Sequence, residues 1–202
     1  MLLVKQRSGL VVTYGALGLV FALVARSGSL APEASAAFLA TLWLGFVLAI
    51  SFMEAWIKFQ APFLPRHIGL SVGRTVFQGL NAVEAPLAVG LVLVHAIATF
   101  EKSQGMAIGL LTALIVLLVL QVVWVFPKLN IRGDYIIDEQ LRQLPDNSFT
   151  PEQRVLRDEI HMTVQSNANP SIAYHIMYIH GEVAKAVLLM VYIVHFLRAM
   201  SK

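Results

Sequence analysis

The sequence predicts an all-α, polytopic membrane helix bundle: a four-helix core, an added N-terminal hydrophobic helix, and amphipathic helices on one side. Three observations predict it. Of 202 residues, 57% are hydrophobic and 13% charged, where soluble domains carry about 25% charge, and mean hydropathy is +0.71. Five stretches, about 9–25, 36–57, 72–99, 106–126 and 174–197, reach the roughly 17–25 residues a helix needs to cross hydrocarbon. The one extended polar connection, 127–170, repeats its apolar residues at helical rather than strand spacing. The chain therefore reads as a single integral membrane domain, 1–202.

The first span follows Lys5 and Arg7, and Ala34-Ser35-Ala36 further on offers a rival reading as a cleaved signal peptide. The second ends with Ser51, Glu54 and Lys58 on one face, the last two at the favourable i,i+4 spacing. The third opens with Arg74, Gln78, Asn81 and Glu84 and is continuously apolar only afterwards; Pro86 falls inside it, where a missing backbone donor frees carbonyls and kinks helices. The fourth ends at Gln121 and Trp124, before Pro127. In the linker, 134–144 puts Ile137, Leu141 and Leu144 on one face, and Thr150-Pro151-Glu152-Gln153 has the pattern of a capped helix start. Val155, Leu156, Ile160 and Val164 follow near helical period. Asn169-Pro170 is expected to cap the last span. Gly69-x-x-x-Gly73 and Gly105-x-x-x-Gly109 have the spacing of close helix approaches.

With five spans, one side carries Lys5, Arg7, Lys58, Arg66, Arg74, Lys128, Arg132, Arg142, Arg154 and Arg157, and the other Arg26, Lys102, Arg198 and Lys202. The positive-inside rule puts the N-terminus in the cytoplasm if the first segment is retained. With no transit peptide evident, the expected location is a bacterial inner (plasma) membrane. The net charge of +3 and pI near 9.3 report orientation; no nucleic-acid-binding pattern accompanies them. The absence of cysteine excludes disulfides, thiolate metal sites and cysteine nucleophiles. Phosphate-binding loops, hydrolase elbows and dinucleotide glycine patterns are absent too.

Ionisable residues inside spans face the bundle interior, a cavity or one another. Arg74, Gln78, Asn81 and Glu84 fall within a sector of about 120°, and His175, Tyr178, Glu182 and Lys185 within about 80°. The topology brings these stripes, with Glu54, Lys58 and Gln121, to similar depth on the cytoplasmic side. Four helices are thereby predicted to line one inward-facing polar pocket. Three readings stand. The groups bind or pass a small polar or ionic ligand; or they pair off, Glu84 with Lys185, Glu54 with Lys58 and Glu182 with Arg74, and only set helix packing in an accessory subunit; or they hold a metal or haem in a membrane enzyme. No cofactor is specified by any pattern. Besides the lipid bilayer and a small ligand, another membrane protein or a second copy is a candidate partner.

The metal reading draws on His175, His180 and Glu182, with Glu54 and Glu84. His175 and His180 point about 140° apart on an ideal helix, so one ion would need ligands from elsewhere. His180-Gly181-Glu182 lacks the cysteines that accompany His-x-Glu in zinc deaminases. His95 and His195, near the outer ends of their spans, are candidates for haem ligation or for interhelical hydrogen bonds.

Phe52-Met53-Glu54-Ala55-Trp56 closing one span, with Leu64-Pro65-Arg66-His67, Gly69-Leu70 and Val76-Phe77 opening the next, resembles the transmembrane protein 205-like (domain of unknown function 4149) family. So do Val123-Trp124-Val125-Phe126-Pro127 before the amphipathic stretch and His180-Gly181 in the last span. The likeness covers roughly residues 40–190. It implies a four-helix membrane core with a cytoplasmic amphipathic linker, and no particular reaction. Trp56, Pro65, Arg66, Pro127, His180 and Gly181 are the matching positions, and their implied role is shared structure on the cytoplasmic side. The chain departs from the family in its extra N-terminal segment and in Glu54, where the family carries a neutral amide.

Overall fold

A computed structural model describes residues 2–100 and 104–201, with side chains from Arg7 onward. Lys102, Lys202 and the Lys5 side chain, which entered the charge count above, lie outside the described residues. No strand forms among those described.

Among the described residues six long helices follow one another, with a short 3-10 turn at Asp146–Ser148 before the fifth. α1 spans Leu2–Arg26. α2 spans Pro32–Gln60, opening as an α-helix, widening to a π-helix over Leu48–Glu54 and closing in a 3-10 turn at Lys58–Gln60. α3 spans Arg66–Ile97. α4 spans Gly105–Leu141, with a second π segment at Gln121–Val125. α5 spans Pro151–Ser166, and α6 Ala173–Met200. All except α5 are long and apolar enough to cross a bilayer.

Several boundaries depart from the sequence reading, for identifiable reasons. α3 begins at Arg66, because Pro65 holds the extended conformation just before it and nothing interrupts the helix between there and residue 72. α4 passes through Pro127 instead of ending before it. The wide π turn resets the hydrogen-bond register there, and Pro127 falls in the first turn of the α-helical stretch Phe126–Leu141, where its missing N–H is tolerated. The amphipathic stretch foreseen at 134–144 is therefore the projecting end of α4. Ile137 is buried on it, but Leu144 lies beyond the helix and is exposed. The capping box of α5 forms as predicted: Thr150 Oγ1 accepts from the Gln153 N–H at 3.3 Å, and Gln153 Oε1 accepts from the Thr150 N–H at 2.9 Å. Its predicted apolar face is only half used, since Ile160 is buried while Val155 and Leu156 are exposed. Just before α5, Arg157 holds the Asp146 carboxyl below its ordinary range through a hydrogen bond and its charge. α6 starts at Ala173, after Asn169-Pro170, and its first N–H is met by Ser171 Oγ.

In the bundle, α2 packs against α3 and α6, α4 against α6 and α3, and α1 along α3; the projecting end of α4 packs on α5. Leu39, Trp43 and Val47 of α2 meet Leu87, Leu91 and Val94 of α3, Leu111, Leu114 and Leu118 of α4, and Leu189, Tyr192 and Phe196 of α6 in one core. Val12, Leu19, Val89, Val116, Val119, Val187 and Leu197 point outward and are exposed. Apolar on both the inner and outer faces, these helices are solvated by lipid, and the chain is an integral membrane protein.

α1 is fitted closely to α3. A Cβ built on Gly18 would lie 2.8 Å from the Cα of Gly90, and one on Gly90 equally close to Gly18. This is the tight approach for which the Gly-x-x-x-Gly spacings were candidates; Gly105 and Gly109 face open space instead. Ser35 and Ala36, in the candidate cleavage site, are buried inside the first turn of α2.

Candidate functional site

The predicted polar residues divide into a deep cluster and two shallower pairs. Glu182 and Lys185 lie about 13 and 18 Å along α6 from Ala173, and Trp43 lies about 16 Å along α2 from Pro32 at the opposite end, so the deep cluster sits near the middle of the long helices. Lys185 Nζ is 2.6 Å from Glu84 Oε1 and 2.8 Å from Glu182 Oε1. Trp43 Nε1 donates to Glu84 Oε1 at 2.8 Å. Ser51 Oγ donates to Glu182 Oε2 at 2.7 Å, and Gln121 Nε2 to Glu182 Oε1 at 3.0 Å. Glu84 is 0%, Lys185 1%, Glu182 2% and Gln121 3% exposed, so the cluster is closed rather than an open pocket.

The local backbone explains how these groups meet. Ser51 and Gln121, which supply two of the three donors to Glu182, both sit in the π segments of α2 and α4, and such segments recur at functional sites. Gly181 leaves the space for Gln121, whose amide would collide with any Cβ at that position. Tyr178, one turn before Glu182 on the same face, is buried with its ring edge-on to Phe77 at 5.3 Å. Three polar atoms of the cluster have no partner: Glu84 Oε2, Gln121 Oε1 and Tyr178 Oη. With two carboxylates to one ammonium, the cluster holds more potential negative than positive charge.

The shallower groups are balanced. Glu54 and Lys58 pair at 3.1 Å as expected, and Lys58 lies over the Phe59 and Phe77 rings. Arg74 does not reach Glu182. It pairs with Asp134 at 2.6 Å and donates to the Asn130 carbonyl, because the continuation of α4 beyond the span carries both to the start of α3. Gln78 accepts from Arg7 of α1. Asn81 is half-buried beside the cluster, and His175 is exposed.

The proposed metal set is not gathered. Among the described residues no three His, Asp or Glu side chains converge. Glu182 turns inward, while His180 is exposed and bonded through Nδ1 to the Ile176 carbonyl. His95 links Tyr192 Oη at 2.7 Å and Gln104 Oε1 at 2.5 Å, the interhelical role rather than an open ligand. His195 lines a shallow apolar groove with Met106, Met190 and Arg198. Of the family-like positions, Trp56 is exposed and bonds the Phe52 carbonyl, Pro65 caps α3, and Arg66 is exposed at its start.

Sequence reasoning missed Trp43 and the buried linker acids Asp134 and Asp138. Trp43 was visible in principle, since 43, 47, 51, 54 and 58 fall on one face of α2 and a tryptophan in mid-span is unusual against the interfacial norm. Asp138 pairs with Arg142, one turn further along, at 2.7 Å, and reaches His161 at 3.1 Å across the contact between α4 and α5. A comparison with protein-family models, curated proteins and solved structures returned no match.

Proposed function

We propose that this membrane protein binds or passes a small polar ligand of cationic character at the deep cluster. One observation carries the reading: Glu84 and Glu182 share a single ammonium in the interior, so the site has an unmet demand for positive charge. An uncompensated charge in low dielectric costs several kcal/mol, which a bound cation offsets. Delivery of Ser51 and Gln121 by π segments supports the reading, because widened turns are places where a helix changes register. Access runs from the end bearing Lys58 and Arg74, which the charge distribution assigns to the cytoplasm. The same proposal places the protein in a plasma membrane and retains the likeness to the transmembrane protein 205-like family as one of architecture only.

A packing role is the second reading, favoured by the closure of the cluster and the balanced pairs around it. The two readings separate in proteoliposomes under a proton, sodium or potassium gradient. A functional cluster gives cation flux or saturable binding that Glu84→Gln or Glu182→Gln abolishes while thermal stability is kept. Wild-type vesicles that bind and pass none of the three, together with variants that lose only stability, would sink the ligand reading.

A further inference from the structure

We infer that the cation is a proton, held on Oε2 of Glu84 as a carboxylic acid, with Glu182 the permanent carboxylate beside Lys185. The inference rests on the reading of the deep cluster as a cation site. The two carboxylates differ in their hydrogen bonding. Glu182 has both oxygens engaged by donors, Oε1 by Lys185 and Gln121 and Oε2 by Ser51, and three donors favour the ionised form. Glu84 directs one oxygen, Oε1, at Lys185 and Trp43, while Oε2 is buried without any donor. A buried carboxylate oxygen with no donor is costly; the same oxygen carrying its own hydrogen is not a bare charge.

Charge balance gives the same answer. On α2 the remaining charges, Glu54 and Lys58, neutralise each other; on α3 Arg74 is taken by Asp134 of α4; on α6 Tyr178 is neutral; and on α1 Arg7 keeps its charge but is held by the amide of Gln78, about 9 Å along α3 from Glu84 and outside the cluster. Within the cluster one positive charge is still wanting. A metal cation would compete with the Lys185 ammonium, which already lies between the two carboxylates, whereas a proton needs one oxygen. Leu87 and Leu91 of α3 and Leu189 of α6, all fully buried, separate this proton from the His95–Tyr192 pair toward the other end. The proton therefore communicates with the Lys58 and Arg74 side, past the π segments that carry Ser51 and Gln121.

Infrared spectra of the full-length protein in lipid at neutral pH test the assignment. A protonated-carboxyl band that shifts in deuterated water is expected, lost in Glu84→Gln and kept in Glu182→Gln. A band that survives Glu84→Gln, or no such band in the wild type, overturns it. Because either variant can misfold, the wild-type protein is also treated with dicyclohexylcarbodiimide. The acid's O–H adds across one C=N bond, its proton going to nitrogen and its oxygen to the central carbon, and the adduct rearranges to an N-acylurea with no group lost. Peptide mass spectrometry is expected to place the adduct on Glu84; an adduct on Glu182 alone overturns the inference. A protonated Glu84 in vesicles that pass no protons and neither bind nor pass sodium or potassium would refute the functional reading while leaving the site assignment intact. Sodium or potassium flux with Glu84 ionised would do the reverse.

Discussion

Lys185 is the side chain on which the interior charge depends, since its ammonium pairs with both carboxylates. Removing one member of a buried ion pair leaves an unpaired charge and typically costs about 3–5 kcal/mol. Lys185→Met is therefore expected to lower thermal stability in detergent by about that amount, and Lys185→Met combined with Glu182→Gln to recover part of it. Equal stability of the single variant and the wild type would show that the cluster is not charge-coupled. At this scale the sequence was informative where partners lay at matching depth on neighbouring spans or one turn apart on the same helix, as for Glu84 with Lys185 and Glu54 with Lys58. It misassigned Arg74, because the nearer carboxylate, Asp134, sits in what read as a separate linker. It left out Trp43, because an indole in an apolar run looks like any other core residue until its N–H has an acceptor.

Helix register and helix contact are decided between elements. The length of the apolar runs located every span, yet it carries no sign of the π segments at Leu48–Glu54 and Gln121–Val125, since one extra residue per turn hardly disturbs an apolar pattern. Those segments aim Ser51 and Gln121 at Glu182 and carry α4 through Pro127. The α1–α3 contact is likewise a property of the pair. Gly18→Leu or Gly90→Leu would thrust a side chain into the facing backbone; an overpacking cost of about 1–3 kcal/mol is expected, read as a lower melting temperature of the purified protein. Gly109→Leu, facing open space, is the control and should change little. If Gly18→Leu melts like the wild type, α1 is not seated on α3 as described.

For the whole molecule, the arrangement of charges makes a topology that can be read directly, helped by the absence of cysteine. Phe63→Cys, in the exposed α2–α3 turn, and Ser29→Cys, in the exposed α1–α2 turn, each introduce a single thiol. A membrane-impermeant maleimide added to intact cells is expected to label Ser29→Cys at once and Phe63→Cys only after permeabilisation; the opposite pattern would invert the orientation. The sequence by itself determined the helical, membrane-compatible character, the five long apolar stretches and the residues that share each polar stripe, because these follow from the run length and period of apolar residues along one chain. Only the tertiary structure decided which stripes share a partner. It closed the polar groups into a sealed cluster, set Arg74 against Asp134, kept His180 away from Glu182, and left Glu84 Oε2 alone. Such outcomes depend on helix rotation, register and close approach, which are set by packing between segments distant in sequence and leave little trace in any one of them.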